Sequence, residues 1–349
     1  MRALPQTVPV VPTLEEVAKL AGVSRATASR VFTASPRVSP RARRAVERAA
    51  QQLSYVPNRA ARTLVTGRTD SVGLVIPEPT AFLFGDPFFP RLVRGISEVL
   101  SQKQLQLVLL APQSAADESR LEGYLTAGHV DGVLMVSLHG RDPLPERLQR
   151  RGMPVVLGGR PAASARITYV DVDNVGGARM AVEHLLATGR KRIATITGPL
   201  DMGAGIDRLR GYREAIREAG LQLDESYEHA GDFGQESGVI AMQELLGRHP
   251  DLDAVFCASD VMAAGALATL REKGRRVPQD IAIVGFDDTS IAMSTTPALS
   301  SVRQPIEEMG REMASLLLSA IDAVGPGGKQ VILATELVVR SSSGQGGRE

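Results

Sequence analysis

Short runs of β-branched residues alternate with stretches of helical periodicity from Asp70 onward, and this alternation restricts the fold more than any other feature. Strands that alternate with helices form parallel sheets of right-handed β–α–β units. About ten such units exceed the usual size of one sheet, so the sequence predicts an α/β region with two lobes. The predicted strands are 71–76, 105–111, 132–136, 154–157, 169–172, 193–197, 254–257 and 281–285, and the predicted helices are 89–103, 176–188, 207–219 and 261–273.

Basic residues are concentrated before this region. Residues 1–70 contain 12 Lys and Arg against 4 Asp and Glu, whereas the remainder contains 28 against 35. The net charge of the whole chain is only +1 at pH 7. A basic segment joined to an acidic region indicates a polyanionic partner for the first and a different role for the second.

The basic segment has the pattern of a helix-turn-helix. Thr13 and Glu16 can form a capping box at the start of a first helix. Gly22 is suited to end that helix, and Ser24 is a good N-cap for a second helix over 25–32. Two short helices around a tight turn that contains glycine are typical of this motif.

A third helix and a short hinge are predicted to follow. The third helix is expected to begin after Ser39, with a proline at its first position. Further along, Asn58 can cap about one and a half helical turns that end near Leu64, a segment too short to be stable alone. We therefore expect residues 57–68 to become helical only when they are docked on DNA.

The second helix carries the residues suited to read DNA bases. In a helix-turn-helix this helix enters the major groove, and its first residues reach base edges. Here they are Arg25 and Ala26, with Arg30 one turn later. Arginine can donate two hydrogen bonds to guanine, whereas alanine can contact a thymine methyl group. The alternative to a DNA-reading unit is a solvated bundle of three short helices that carry arginines. Hydroxyl side chains suited to phosphate contacts are Ser24, Thr27 and Ser29.

The ordered run Thr-Leu-x-x-Val-Ala-x-x-Ala-Gly-Val-Ser, then Ser-Arg-Val, then Tyr-x-Pro-Asn-Arg-x-Ala-x-x-Leu, resembles the DNA-binding and hinge signature of the lactose-repressor (LacI/GalR) family. In that family the hinge leucine inserts into the minor groove and kinks the operator. Leu64 stands at that position, with Ala61 at the small residue beside it; without the resemblance, Leu64 would be an ordinary linker residue. The predicted DNA-contacting residues are Thr13, Ser24, Arg25, Ala26, Thr27, Ser29, Arg30, Asn58, Arg59, Ala61 and Leu64.

The resemblance also implies a periplasmic-binding-protein-like fold with an effector between its lobes. Arg208 falls on the family arginine that holds the effector, and Asp287 on the aspartate that commonly binds ligand hydroxyls. Ser259 stands at a position that often contacts the ligand. Guanidinium and carboxylate groups suit a polyol, so we expect a carbohydrate; salt bridges or helix caps are the alternative. For Asp260 we expect a cap of the helix that starts at Val261.

In the first lobe, Gly85-Asp-Pro-Phe-Phe89 resembles the family's Asn-Pro-Phe-Phe element. Phe88 can stack on an apolar sugar face, although burial of both rings in the core is equally open. Ser137 and His139, which follow the third predicted strand, and Arg160, which follows the fourth, are weaker candidates. Many family members have an aspartate near the position of Arg160, whereas this chain has Leu157-Gly-Gly-Arg160. This departure from the family pattern leaves the identity of the ligand open. The predicted effector-binding residues are Phe88, Ser137, Arg160, Arg208, Ser259 and Asp287.

Other classes of protein fit less well. The single cysteine, Cys257, allows neither a disulfide framework nor a thiolate zinc cluster, and we expect no metal and no cofactor. No apolar run can span a bilayer and the N-terminus lacks signal-peptide features, so a cytoplasmic protein without membrane contact is expected. No nucleophile–base motif of an enzyme stands out. A sugar-binding protein without a regulatory role is the runner-up.

The predicted organisation has four parts. A disordered tail at 1–11 precedes a helix-turn-helix at 12–56 and a hinge at 57–68, and a two-lobed effector-binding and dimerisation domain spans 69–349. The resemblance implies a homodimer on a near-palindromic operator, one head per half-site. The predicted function is a transcriptional repressor whose operator affinity is controlled by a small effector.

Overall fold

The computed structural model describes residues 12–32, 36–56, 67–161, 166–322 and 328–344. The chain divides between Thr69 and Asp70 into a small unit and a large one. The predicted tail at 1–11 and the hinge residues Asn58, Arg59, Ala61 and Leu64 lie outside the described residues.

The described part of the small unit contains three helices, as the sequence predicts: α1 (Leu14–Leu20), α2 (Arg25–Phe32) and α3 (Pro40–Gln52). The predicted capping box is present, since the Thr13 N–H donates to the Glu16 carboxylate over 2.7 Å. Gly22 has φ +65°, a conformation that glycine adopts without strain. The side chains of Ser24 and Ser39 accept hydrogen bonds from the first turns of α2 and α3.

An apolar centre joins the three helices of the small unit. Val17 of α1, Ala28 of α2 and Val46 of α3 are fully buried, and smaller or partly buried apolar residues surround them. The ring of Phe32 lies against that of Tyr55, with centroids 5.4 Å apart. With this centre buried, the predicted DNA-reading residues Arg25, Ala26 and Arg30 remain exposed on α2.

The described residues of the large unit form two six-stranded sheets, which confirms the predicted two lobes. The strands are β1 (Ser71–Val75), β2 (Gln106–Leu110), β3 (Gly132–Val136), β4 (Val155–Gly158), β5 (Thr168–Val172), β6 (Ile193–Thr197), β7 (Glu228–Ala230), β8 (Ala254–Cys257), β9 (Ala282–Asp287), β10 (Ser300–Arg303), β11 (Gln330–Leu333) and β12 (Glu336–Val338). In the first lobe the strand order is β11-β5-β4-β3-β1-β2, and in the second it is β12-β10-β9-β8-β6-β7. Strand pairs are parallel except β12 with β10, which is antiparallel.

Helices pack on the faces of both sheets, with apolar residues of the strands between them. A 3₁₀ turn at Glu225–Tyr227 precedes β7. The helices are α4 (Thr80–Gly85), α5 (Phe88–Gln102), α6 (Ala115–Thr126), α7 (Leu144–Arg150), α8 (Asn174–Ala187), α9 (Gly203–Glu218), α10 (Gln235–Arg248), α11 (Asp260–Glu272), α12 (Ser290–Ser294) and α13 (Ile306–Asp322).

The chain passes between the lobes at three described places: after β5, after β10, and between β11 and β12. A hydrogen bond joins the connection after β5 to the connection between β11 and β12, since the Asp173 N–H donates to the Leu333 carbonyl over 2.9 Å. Strands β7, β10 and β11 and helices α4, α6, α7, α10, α12 and α13 are not among the elements named from the sequence. Helix α9 begins at Gly203, four residues before the predicted start at Asp207.

Two glycines allow α5 and α13 to pack at close range in the first lobe. A Cβ added at Gly95 would lie 2.0 Å from the Glu307 carbonyl oxygen, and one at Gly310 would lie 2.4 Å from that of Leu92. Because both neighbours are backbone atoms, they cannot rotate away as a side chain would. The two helices therefore require the absence of a side chain at these positions.

We expect Gly95→Ala to lower the free energy of unfolding of the large unit by about 1–3 kcal/mol, because the helices must move apart. The control is Gly123→Ala in α6, where an added Cβ meets nothing within 4 Å. That control should be neutral or stabilising by up to about 1 kcal/mol. Thermal melting followed by circular dichroism measures both changes, and equal melting temperatures for the two variants would contradict the packing argument.

Candidate functional site

A cavity of about 390 Å³ lies between the two lobes, beside the carboxyl ends of the strands. Ligands bind at this edge in folds of parallel strands. The structure brings all six predicted effector residues to its wall: Phe88, Ser137, Arg160, Arg208, Ser259 and Asp287.

Arg208 lies in the second turn of α9 and is almost completely buried. Its Nε donates to the Asn174 side chain over 2.8 Å, and one terminal nitrogen donates to the Ala258 carbonyl over 2.5 Å. The guanidinium carbon lies 3.6 Å from the centroid of the Phe286 ring, a cation–π contact. These contacts fix the plane of the guanidinium at the floor of the cavity.

Asp287, the last residue of β9, faces Arg208. The nearest nitrogen and oxygen of the two side chains are 3.5 Å apart, and the Gln304 amide donates to the same oxygen over 2.5 Å. Burial raises the pKa of the Asp287 carboxyl well above its ordinary value, although Arg208 opposes this effect. Its backbone has φ +108°, which is rare for a residue with a Cβ and is characteristic of functional sites.

The cavity is also lined by acidic and amide groups that the sequence did not predict as site residues. Asp171 accepts from the Asn174 amide over 3.0 Å, so it orients the group that holds Arg208. Burial raises the pKa of Asp171 and of Asp86. Asp86 belongs to the segment already noted around Phe88, whereas Gln304 follows a strand whose polar sequence gave no signal.

The predicted cap of helix α11 is wrong. Ser259, not Asp260, is its N-cap: the Ser259 hydroxyl accepts from the Met262 N–H over 3.1 Å. The same hydroxyl lies 3.2 Å from the Phe233 carbonyl, so it already has two protein partners. Asp260 instead accepts from the backbone and hydroxyl of Thr289 and from the Ser301 hydroxyl. Burial raises the pKa of Asp260 to about 7 despite these bonds.

The first lobe contributes an aromatic surface to the cavity. Phe89 is buried in the core, whereas Phe88 is half-buried, and the two rings meet edge to face with centroids 5.4 Å apart. The Phe88 N–H donates to the Asp86 carboxylate over 2.8 Å, which holds this ring at the start of α5. Phe88 is therefore the better placed of the two rings to meet a ligand.

Arg160 crosses the cleft to an acidic partner on the other lobe. Its Nε and one terminal nitrogen donate to the Asp207 carboxylate of α9, with the closest atoms 2.7 Å apart. Asp207 is buried, whereas the Arg160 side chain is 41% exposed. If Arg160 contacts a ligand, its guanidinium must therefore bind both the ligand and Asp207.

The exposed face of α2 offers the groups expected to contact DNA. Arg25 forms an ion pair with Glu15 in which both side chains are largely exposed. The Ser24 and Thr27 hydroxyls are 2.9 Å apart. An exposed pair of this kind contributes little to stability, so Arg25 can exchange Glu15 for a nucleic acid at small cost.

Two negative findings apply to the described residues. They contain no group of three or more histidine, cysteine or acidic side chains arranged to hold a metal ion. None of their helices is long and apolar enough to cross a membrane.

Comparisons with known proteins match both units. Residues 13–58 match the family described as bacterial regulatory proteins, lacI family, and residues 182–343 match the periplasmic binding protein-like domain. The transcriptional regulator CelR of Thermobifida fusca is 53% identical over 95% of this chain and 98% of its own length. The transcriptional repressor CytR of Escherichia coli K12 is 35% identical over 95% of this chain and 96% of its own.

Solved structures agree with this relationship. The CelR–cellobiose complex has a TM-score of 0.77 and 50% identity, and it covers 95% of this chain and 99% of its own. The lac repressor dimer bound to operator and the anti-inducer ONPF has a TM-score of 0.83 and 26% identity, with the same coverage. With a matching DNA-binding unit, a matching effector-binding fold and a relative 53% identical over nearly its full length, the chain belongs to the LacI family of bacterial regulatory proteins.

Proposed function

We propose that the protein is a homodimeric, DNA-binding transcriptional repressor whose effector is a neutral glucose disaccharide of the cellobiose type. The observation that carries the proposal is the interlobe cavity, where Arg208 and Asp287 are held by buried partners. A relative with 50% identity was solved in complex with cellobiose. Within this proposal the protein is not an enzyme, and a sugar-binding role alone leaves the helix-turn-helix without a purpose.

The charges in the cavity favour a neutral polyol. Arg208 is already balanced by Asp287, and Asp86 and Asp171 add further acidic groups. A phosphorylated sugar would meet these carboxyl groups, and Arg208, the buried cation beside them, is already paired with Asp287. Sugar hydroxyls can both accept from a guanidinium and donate to a carboxylate, which matches this set of groups.

The size of the cavity favours more than one sugar ring. Besides Arg208 and Asp287, its wall includes Phe88 and, at the start of α7, Pro143 and Glu146. Its volume lies within the range of small-molecule sites. We place one ring against the buried polar groups with an apolar face toward Phe88, and the second ring toward α7.

The coupling between effector and DNA is a shift between open and closed lobes. The effector closes the cleft and rotates the first lobes of the two subunits, so that the hinge segments no longer pair in the minor groove. By reciprocity, operator DNA weakens effector binding by the same factor. Dimerisation presents two heads to the two half-sites of an operator.

The effector assignment is tested with Asp287→Asn, which keeps the shape of the side chain and tolerates positive φ. We expect cellobiose affinity, measured by calorimetry, to fall roughly 10- to 100-fold because a hydrogen bond to a charged group is lost. Operator binding, measured by fluorescence anisotropy, should persist but respond to cellobiose only at higher concentrations. The control is Asp251→Asn, whose exposed carboxylate pairs with Arg192. If the wild-type protein does not bind cellobiose, the proposed effector is wrong.

The DNA-reading role of α2 is tested with Arg25→Ala. We expect a loss of about 1–3 kcal/mol in operator binding and relaxed preference at one base position of each half-site. Arg41→Ala, on the exposed face of α3, should leave base preference unchanged because it removes at most a phosphate contact. Competition assays with operators substituted at single positions measure both effects, and an unchanged preference in Arg25→Ala would defeat the assignment.

The hinge proposal is tested with Leu64→Ala. Without the leucine side chain the minor groove should no longer be wedged open, so operator affinity should fall while cellobiose affinity stays the same. Circular permutation gel-shift assays would also report a smaller operator bend. Wild-type operator affinity in this variant would remove Leu64 from the mechanism.

A further inference from the structure

His139 lies at the rim of the cleft between carboxylates from both lobes. It follows β3 of the first lobe, and its Nδ1 lies 3.1 Å from both carboxylate oxygens of Asp201, which follows β6 of the second lobe. Its Nε2 lies 3.2 Å from the carboxylate of Glu78, which follows β1. Beside the ring, the Gly140 N–H donates to the Asp201 carbonyl over 2.9 Å, a second contact between the lobes.

We propose that His139 is a protonation-dependent clasp between the two lobes, and that protonation of its ring favours the closed cleft. The clasp is separate from the groups on the cavity floor. It acts together with the Arg160–Asp207 bridge, which joins the same two lobes through an arginine that stays charged.

The hydrogen-bonding capacity of imidazole gives the physical reason. A protonated ring has two N–H donors and can satisfy Glu78 and Asp201 at once, whereas a neutral ring has one donor and one lone pair. A neutral ring would therefore turn a lone pair toward one of the two carboxylates. Glu78 is buried and also accepts from the Ser137 hydroxyl, so it stays in place. The contact that weakens on deprotonation is then the one with the more exposed Asp201.

The surroundings of His139 determine the direction of the pH dependence. Partial burial lowers the pKa of His139, but hydrogen bonds and charges from Asp201 and Glu78 outweigh it and raise the pKa above the ordinary 6.5. Arg141 and Asp142 follow on the same loop, one of each sign. Because the pKa is higher in the closed state, the clasp is complete below pH 6.5 and is lost as the pH rises through the raised value.

The effect on closure does not depend on the identity of the effector. A consequence for operator binding, namely a response to the effector that varies with pH, does rest on the proposed function. The clasp can therefore be measured without sugar and without DNA, and the two proposals fail independently.

Hydrogen–deuterium exchange of the full-length protein without sugar tests the clasp through the Gly140 amide, which donates across the cleft. We expect its protection, corrected for the intrinsic pH dependence of exchange, to fall roughly two- to fivefold as the pH rises from about 6 to about 8.5, the effect of a partly exposed ion pair. His139→Gln should abolish this pH dependence. His129→Gln is the matched control, since His129 is exposed and stacks on Tyr124 away from the cleft.

Asp201→Asn separates a bridge between lobes from an effect within the first lobe. It keeps the backbone carbonyl that accepts from Gly140 but removes the charge facing His139. If the clasp joins the lobes, this variant loses the pH dependence as His139→Gln does. Wild-type pH dependence in Asp201→Asn, or in His139→Gln, would overturn the proposal, as would pH-independent protection in the wild-type protein.

Discussion

The burial of the Arg208 guanidinium is the constraint around which the effector-binding unit is arranged. A charged group removed from water must be paired and hydrogen-bonded, and here Asn174, the Ala258 carbonyl and Asp287 meet that need. These partners come from the start of α8, the end of β8 and the end of β9. The position of one side chain therefore ties together the carboxyl ends of β8 and β9 and the amino end of α8, and the cavity floor follows from it.

The two lobes contribute different kinds of group. The second lobe supplies the preorganised charges, since Arg208 and Asp287 hold each other before a ligand arrives. The first lobe supplies Phe88, Asp86 and the rim residues that reach across the cleft. A ligand held by the second lobe gains its remaining contacts only when the first lobe closes on it, so the free energy of those contacts is available to drive closure.

The helices of the small unit could be predicted because their sequence signals are local. Parts of the large unit could not, because they depend on partners that are distant in the sequence. The capping box at Thr13 and the caps at Ser24 and Ser39 involve residues three apart, so the sequence displays them directly. Strand β10 is short and polar, and its serines are buried only because other parts of the fold pack on them. Asp260 looked like a helix cap because its true partners, Thr289 and Ser301, lie 29 and 41 residues away.

The residues that hold the cavity floor also lie on the segments that connect the lobes. Asn174 follows the passage after β5, and Gln304 lies on the passage after β10. Asn174 binds Arg208, and Gln304 binds Asp287, so both connecting segments contact the charged pair. A ligand that shifts this pair by a fraction of an ångström acts directly on the places where the chain must bend to open or close the cleft. In the proposed mechanism these two hydrogen bonds link effector capture to the rotation of the lobes.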